Sequence, residues 1–349
     1  MQLMGPENTP KQAELTQNRI RAIKNAIAAS RSKRTREAYQ YWFGRFAAWC
    51  DDNSRAAIPA RPETIAAFAT ALQDGSACAD ERPAAPATIE LAVSAVIVAN
   101  RMAGHPVNRK ESVLADAIMG SKREAGKKHT PRQVKPIQAD YLRTLLEIGG
   151  GDDLLTLRDN ALLGLGFAAA LRRSELVGLD YGELGLGTGV IELVADGAQI
   201  TLTTSKADQG RAVIIAVPYA AIPTVCDAIK RWIETAALQP GQPVFQGIGK
   251  GRSRLTGQRL SGTQAARIVK ARVKARAIAF GKSEREADQI ARAFSGHSLR
   301  AGFITSAAAK SIPVYQIQDH SRHRSADMVK RYIRDERKWS DSPLGKFGF

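Results

Sequence analysis

The chain has 349 residues, of which 44% are hydrophobic and 24% charged, a globular composition with enough length for two domains with separate cores. The sequence holds no uncharged apolar run long enough to span a bilayer, and no apolar signal-peptide core near its start. We therefore expect a cytoplasmic protein with no membrane partner.

The positive charge is distributed over the whole chain. Lys and Arg number 51 against 34 Asp and Glu, a formal net charge of +17. Counted along the sequence, residues 1–135 carry 21 basic and 13 acidic residues, and residues 136–349 carry 30 and 21. This shared excess favours a polyanionic partner that both halves contact, of which nucleic acid is the commonest. The alternative is a protein that its charge merely keeps soluble.

The first third of the chain is predicted to be almost entirely helical. An aromatic helix comes first, in which Tyr39, Trp42, Phe43, Phe46 and Trp49 fall on one helical face. Three further helices are predicted at 63–73, 88–102 and about 111–123. The polar, basic segment 126–136, which contains Gly126 and two prolines, is predicted to be a linker between domains at 1–125 and 137–349.

Basic residues gather at two places in this helical domain. Cations at the start of the aromatic helix oppose the helix dipole, and phosphate contact would account for that cost. A solvated charged surface is the alternative. The DNA-binding residues predicted at the two places are Arg31, Lys33, Arg34, Arg36, Lys122, Arg123, Lys127 and Lys128.

The pattern changes after the linker. Helices are predicted at 138–148 and 156–179, and short β runs follow at 190–194, 200–204 and 213–217 with turns at Asp196-Gly197 and 208–210. Helices resume at 219–236, 261–279, 284–293, 298–309, 313–319 and 324–334. The predicted fold class is mainly α with two domains: an all-α N-terminal domain and an α+β domain with a small antiparallel sheet.

Five signals in the second domain contain residues that could carry chemistry. Arg172 follows an apolar run, where a buried charge needs a partner, and Glu175 can supply one. Lys206 falls at a predicted hairpin tip. Alone, the first is as well explained by a structural ion pair and the second by a surface lysine.

The other three signals come later in the chain. His297 and Arg300 lie three residues apart at the start of a helix, where anions are favoured. His323 follows, and Tyr332 comes nine residues after it among basic neighbours. Taken alone, Tyr332 would be read as a packing residue.

Two other patterns are predicted to carry no chemistry. The glycine-rich stretches at 185–189 and 247–251 lack the phosphate-loop pattern and are predicted to be turns. His297, His320 and His323 suggest a metal site, but no Cys or carboxylate at ligand spacing completes it. We expect no metal and no cofactor.

Taken in order, the five signals resemble the tyrosine recombinase (phage integrase) family. The matching motifs are L-R-x-S-E-L at 171–176, the hairpin lysine, G-H-x-x-R at 296–300 and H-x-S-x-x-M-V-x-R-Y at 323–332. S-K-R-T-x-x-x-Y at 32–39 and F-A-A-W-C at 46–50 resemble its SAM-like core-binding domain. S-G-H-S at 295–298 and Y-I-R at 332–334 look closest to Cre-like members. Ala169-Ala170 departs from the frequent Thr-Gly, and Arg322 stands where the family often has Gly before the late His.

The resemblance implies a site-specific recombinase that cleaves and rejoins duplex DNA through a 3′-phosphotyrosyl intermediate, without metal or ATP. It implies that Tyr332 is the nucleophile, that Arg172 and Arg300 clamp the phosphate, and that Lys206 is the general acid. His323 would donate a hydrogen bond to the phosphate, His297 would assist proton transfer or orient the phosphate, and Glu175 would fix the site. Arg322 would either shift the His323 backbone or contact DNA.

The family pattern also implies an assembly. The expected partner is double-stranded DNA with a specific target site, bound by a homotetramer. The apolar residues of 339–349 are predicted to dock on a neighbouring protomer. The alternatives are an enzyme similar to a type IB topoisomerase or telomere resolvase, and a non-catalytic sequence-specific DNA-binding protein.

Overall fold

The computed structural model describes residues 33–129, 134–203, 212–251 and 253–337. The chain forms two compact units, Met1–Arg132 and Gln133–Phe349. The boundary falls inside the predicted linker, but residues 126–128 are helical because the fourth helix continues to Lys128. Lys127 and Lys128 favour that extension, since cations stabilise the negative end of a helix.

The first unit is helical throughout its regular structure. Its described helices are α1 (Lys33–Asp52), α2 (Pro62–Asp74), α3 (Pro86–Met102) and α4 (Ser112–Lys128). Proline begins both α2 and α3, where its missing N–H costs no helical hydrogen bond.

The aromatic face predicted for α1 packs into the core of this unit. Phe46 is fully buried, and its ring meets Phe68 of α2 edge-on with 5.1 Å between centroids. Trp49 lies 5.5 Å from the same ring. Tyr41, off this face, is 53% exposed, as the helical spacing predicts.

The second unit combines helices with two small sheets. Its elements are α5 (Ala139–Ile148), α6 (Leu154–Ala168), α7 (Arg173–Val177), β1 (Leu179–Tyr181), β2 (Gly189–Val194), β3 (Gly197–Leu202), β4 (Val213–Pro218), α8 (Pro223–Thr235), β5 (Gln246–Ile248), β6 (Leu255–Arg259), α9 (Gly262–Ala279), α10 (Glu284–Arg292), α11 (Ser298–Ala309), α12 (Val314–Ser321) and α13 (Ala326–Arg337). None of the helices in the described ranges is both long and apolar enough to cross a membrane.

The larger sheet has the order β1-β2-β3-β4. Strands β2, β3 and β4 pair antiparallel, which confirms the predicted sheet and the turn at Asp196-Gly197. Strand β1 pairs parallel to β2, with Leu179 opposite Gly189. Neither β1 nor the β5–β6 pair was predicted, because runs of three to five residues show too little alternation to be recognised.

The single helix predicted at 156–179 is wrong, because the chain turns between α6 and α7. Ala170 has φ +44, the left-handed conformation that ends helices. As a result, Arg172 is the N-cap of a new helix and directly follows the turn. Local propensity hides this break, since Ala169 and Ala170 have the highest helix propensity. The glycine that the family often has at position 170 was the available signal, because glycine is the usual residue in a left-handed helix end.

The start of the second unit crosses α11 at close range. Ile137 donates its backbone N–H to the Ser298 carbonyl at 2.9 Å. A Cβ at Gly302, one turn further along α11, would overlap the Ile137 carbonyl, so only glycine fits there. This contact ties the beginning of the unit to the helix that carries Arg300.

Candidate active site

Arg172 and Glu175 begin α7 as a reciprocal pair. The Arg172 backbone N–H donates to Glu175 Oε2 at 2.8 Å, and its Nη1 donates to Oε1 at 2.5 Å. The ion pair predicted from the sequence is therefore present, although at the start of a short helix, where Glu175 also caps the Arg172 backbone N–H, rather than on one face of a long helix. The Arg172 side chain remains 25% exposed, so part of the guanidinium is open to a ligand.

Arg300 of α11 is the most deeply buried cation of the site. It is 1% exposed, and its Nη1 donates to the Ala170 carbonyl at 2.8 Å. Among the described residues no acceptor reaches its Nε. Burial, with the neighbouring charges of Arg172 and Arg322, lowers the pKa of Arg300 to about 9, so the guanidinium is still charged at neutral pH.

His323 follows α12 and faces Arg300. Ser321 Oγ donates to the Ile317 carbonyl at 2.5 Å, so its lone pair is left to accept from His323 Nδ1 at 2.7 Å. This assigns the proton to Nδ1 and leaves Nε2, 3.3 Å from Arg300 Nη2, as an acceptor. Burial and the Arg300 charge lower the pKa of His323 to about 3, so the ring is neutral in the absence of a ligand.

Tyr332 of α13 lies beside His323, with 6.2 Å between the ring centroids. Its half-buried ring packs on an apolar cluster that includes Ile304, Ile317 and Val329. His323 also lies beside Arg300, with 3.3 Å between its Nε2 and Arg300 Nη2. The candidate nucleophile Tyr332 therefore lies in the same cluster as His323 and Arg300.

His297 is the N-cap of α11 and presents its ring at the surface of the same site. Neighbouring atoms desolvate the ring in part, and the charges of Arg300 and Arg172 oppose another proton, so the pKa of His297 is lowered. A Cβ on Gly296 would come within 3.0 Å of the Arg173 side chain, so a larger residue there would require Arg173 to move slightly.

Lys206 lies outside the described residues. The strands that precede and follow it are β3 and β4, and Leu202 pairs with Val213 at their open end. Residues 203–212 therefore connect two paired strands, as the sequence predicts. The position of the lysine relative to the arginines stays a prediction.

The predicted DNA-binding residues of the first unit fall into three groups. Arg34 and Arg36 on α1 are exposed, as are Arg123 and Lys128 on α4. Lys122 pairs with Glu90 at 2.8 Å and Lys127 with Glu124 at 2.6 Å, so phosphate would compete with a carboxylate there. Arg31 lies outside the described residues, and of Lys33 only the backbone, as the first residue of α1, is described.

Arg322 has a role in this site that was not predicted from the sequence. Its backbone is left-handed, with φ +56 and ψ +47, so Arg322 keeps a glycine-like backbone conformation immediately before His323. Its side chain is only 4% exposed, which excludes DNA contact in this conformation. The guanidinium instead binds Glu175 and the carbonyls of the turn after α6. The only sequence signal for this role was that Arg322 stands at a position where the family often has glycine.

The patterns that were predicted to carry no chemistry have other structural roles. In the second glycine-rich stretch Gly247 lies in β5, and only residues 250–251 form the predicted turn. Asp180 is fully buried, and its Oδ2 accepts the backbone N–H groups of Gly185 (2.9 Å) and Gly187 (2.7 Å), which a phosphate loop would offer to its ligand. His320 Nε2 lies 2.8 Å from the Ala168 carbonyl and must carry a proton, so that nitrogen has no lone pair for a metal. In the described ranges, His, Cys, Asp and Glu form no group of three that could hold a metal ion.

The geometry defines a class of protein. Arg172, Arg300 and Arg322 contribute three positive charges around one carboxylate, Glu175, and a phenol stands beside them. Planar guanidinium groups match the oxygens of phosphate, and a tyrosine hydroxyl can attack phosphorus. The arrangement is that of a phosphoryl-transfer enzyme with a side-chain nucleophile.

Comparison with known proteins identifies the family. The model of the phage integrase family matches residues 135–338. The chain is 32% identical over 326 residues, 93% of its length and 88% of the relative's, to a protein of Selenomonas ruminantium named integrase/recombinase xerD homolog. The chain belongs to the phage integrase family, the tyrosine recombinases, which are enzymes that cleave and rejoin DNA.

Solved structures share the fold. The chain resembles a Tn1549 transposon integrase in complex with transposon right end DNA (TM-score 0.54, 14% identity), over 93% of this chain and 98% of that one. It also resembles a lambda integrase dimer bound to a COC′ core site (TM-score 0.52, 16% identity), over 93% and 79%. The predicted fold class and family are confirmed. The closer resemblance to Cre-like members stays a prediction.

Proposed function

We propose that this recombinase cleaves and rejoins duplex DNA at a specific target site by attack of Tyr332 on the scissile phosphate. The observation that best supports the proposal is the meeting of Arg172, Arg300, His323 and Tyr332 at one place, from four different parts of the second unit. The +17 net charge fits a polyanionic substrate. A DNA substrate in turn favours a cytoplasmic location.

The proposed reaction exchanges one phosphate ester for another. The Tyr332 hydroxyl oxygen forms a bond to phosphorus, the bond to the 5′ oxygen breaks, and a 3′-phosphotyrosyl ester remains. The phenol proton passes to a base, for which the neutral His297 is suited, and Lys206 supplies a proton to the leaving 5′ oxygen. Attack by a 5′ hydroxyl reverses the step, and the ester conserves the bond energy, so ATP is not required.

The cations neutralise the charge that develops on the phosphate. Arg172 and Arg300 would each direct N–H groups to the non-bridging oxygens, where a planar fork fits better than a lysine. A bound phosphate would raise the pKa of His323, because an anion stabilises the imidazolium, and the Nε2–H formed could then donate to an oxygen. Glu175 would keep Arg172 oriented. In the first unit the predicted basic residues would bind flanking phosphates.

The direct test is the covalent intermediate. Incubation with a nicked suicide substrate, prepared from the DNA that flanks the gene, should yield an SDS-resistant adduct whose tryptic peptide carries the nucleotide on Tyr332. EDTA should leave the yield unchanged, because the chemistry uses side chains alone. An adduct on another residue, or none on any flanking DNA, would contradict the proposal.

The role of Lys206 can be tested through the leaving group. We expect Lys206→Ala to slow cleavage of ordinary DNA about 10²–10⁴-fold, the usual contribution of a general acid. A substrate with sulfur in place of the bridging 5′ oxygen should be cleaved at nearly the wild-type rate, because a thiolate leaves without a proton. Lys230→Ala, which changes a lysine of α8, should behave as wild type on both substrates. Equal losses on the two substrates would assign Lys206 to binding instead.

We also propose that four protomers assemble on two duplexes. Residues 339–349 lie outside the described part of the chain, and their apolar side chains are the proposed contact with a neighbouring protomer. Sedimentation of the chain with target duplex should give four protomers per two duplexes. Deletion of 339–349 should keep DNA binding and abolish the assembly. A deletion variant that still forms the tetramer would remove the tail from this role.

A further inference from the structure

We infer that Arg322 is a positioning residue that fixes the guanidinium groups of Arg172 and Arg300 relative to each other. The inference rests on the proposed function, since it assigns those two arginines to one phosphate. The Arg322 guanidinium is buried between Glu175 and the turn at Ala169-Ala170, and its contacts lead to both arginines.

The first link runs through Glu175 to Arg172. Arg322 Nη2 donates to Glu175 Oε2 at 3.0 Å, while Glu175 Oε1 accepts from Arg172 Nη1. Arg172 Nη2 donates in turn to the backbone carbonyl of Arg322 at 2.9 Å. The three residues thus close a ring in which side chain and main chain of Arg322 both fix the guanidinium of Arg172.

The second link runs through Ala170 to Arg300. The Ala170 carbonyl accepts from Arg322 Nη2 at 3.0 Å and from Arg300 Nη1 at 2.8 Å. A second bond, from Arg322 Nη1 to the Ala169 carbonyl at 3.2 Å, holds the same turn. Ala170 is left-handed, a conformation that residues other than glycine avoid, so the turn depends on such bonds. The Ala170 carbonyl therefore fixes the position of Arg300 relative to Arg322.

The charge of Arg322 also keeps Glu175 ionised. Burial alone would raise the pKa of Glu175, but the charges and hydrogen bonds of Arg322 and Arg172 outweigh burial and lower it. The other titratable groups that face this carboxylate are Arg300 and His297 of α11. Removal of Arg322 should therefore raise the pKa of Glu175, and a protonated Glu175 would lose its ion pair with Arg172.

Arg322→Gly and Arg322→Lys test the inference in the full chain. Glycine adopts φ +56 without strain, so the first substitution removes the side chain and spares the backbone. We expect Arg322→Gly to slow single-turnover cleavage of the suicide substrate about 10–100-fold, the usual loss for a residue that orients a binding group, with the DNA dissociation constant changed less than about threefold. Arg322→Lys should recover part of the rate, because one ammonium can replace only some of these bonds.

Two readouts separate positioning from general stability. The ratio of the Arg322→Gly rate to the wild-type rate should fall as the pH is lowered from about 8 to 5.5, because Glu175 protonates at a higher pH in the variant. On a Glu175→Gln background, Arg322→Gly should cost less than on wild type, since part of its effect passes through that carboxylate.

Arg158→Lys is the matched control. Arg158 is a buried arginine of α6 that binds Asp159 and the Gln246 carbonyl, about 15 Å along the helix from Ala168. The Arg158→Lys substitution should change neither the cleavage rate nor the pH dependence of that rate.

The outcomes are distinct. A rate ratio independent of pH, with full additivity on the Glu175→Gln background, would overturn the positioning role. Should Arg322→Gly fail to fold, the same two readouts on Arg322→Asn decide, because asparagine tolerates a left-handed backbone and lacks the charge. Absence of a wild-type adduct at Tyr332 would instead defeat the proposed function itself, whereas wild-type rates in Arg322→Gly would defeat only this inference.

Discussion

Tyr332→Phe should abolish the covalent adduct while leaving DNA binding within about twofold of wild type. The ring packs on Ile304 and Val329, and phenylalanine keeps that packing, so only the hydroxyl is lost. Because no bond to phosphorus can form without the oxygen, the cleavage rate should fall by at least about 10⁴-fold, as for other nucleophile knockouts.

The control for this variant is a second tyrosine. Tyr315 of α12 is 63% exposed, and its hydroxyl accepts only from the neighbouring Gln316 side chain among the bonds described. Tyr315→Phe should form the adduct at the wild-type rate. If Tyr332→Phe retained the adduct, peptide mapping would identify the true nucleophile and the proposed chemistry would be wrong.

Arg300→Lys should slow cleavage about 10²–10³-fold, the usual cost of removing one aligned donor from a transition-state site. The charge is conserved, but a single ammonium cannot bind the Ala170 carbonyl, face His323 and reach a phosphate oxygen together. We expect the loss in the single-turnover rate constant rather than in DNA affinity, because exposed basic residues dominate affinity.

Arg272→Lys provides the comparison for this second variant. The Arg272 side chain in α9 is only 10% exposed and donates to Asn160 at 3.0 Å, with Asp159 at 4.0 Å. Its partners do not belong to the cation cluster, so its substitution should leave cleavage unchanged. A similar rate loss in Arg272→Lys would show that burying a lysine disturbs the unit as a whole.

Helix positions and motif order could be predicted from the sequence because they depend on local patterns. The aromatic spacing of α1, the antiparallel strands around Asp196-Gly197 and the helices after residue 260 each follow from short-range periodicity or turn chemistry. The members of the site could be named only because five motifs in a fixed order resemble a known family.

The contacts inside the site could not be predicted, because they join residues far apart in the chain. Arg300 and Ala170 are separated by 130 positions, and Arg322 and Glu175 by 147. The left-handed turn at Ala170 contradicts local propensity and exists because tertiary hydrogen bonds hold it. Arg322 could not be interpreted without that turn, since its side chain binds the carbonyls that the turn exposes.

The single carboxylate inside the cation cluster has a consequence for the energetics of catalysis. Three guanidinium charges less the charge of Glu175 leave a formal excess of two, while His323 and His297 are neutral at rest. A phosphodiester in its ground state brings one negative charge, and the five-coordinate phosphorane that follows brings two. Lys206 and a protonated His323 would add to this excess in the proposed complex. The positive charge of the site would therefore stabilise the phosphorane more than the ground-state phosphodiester.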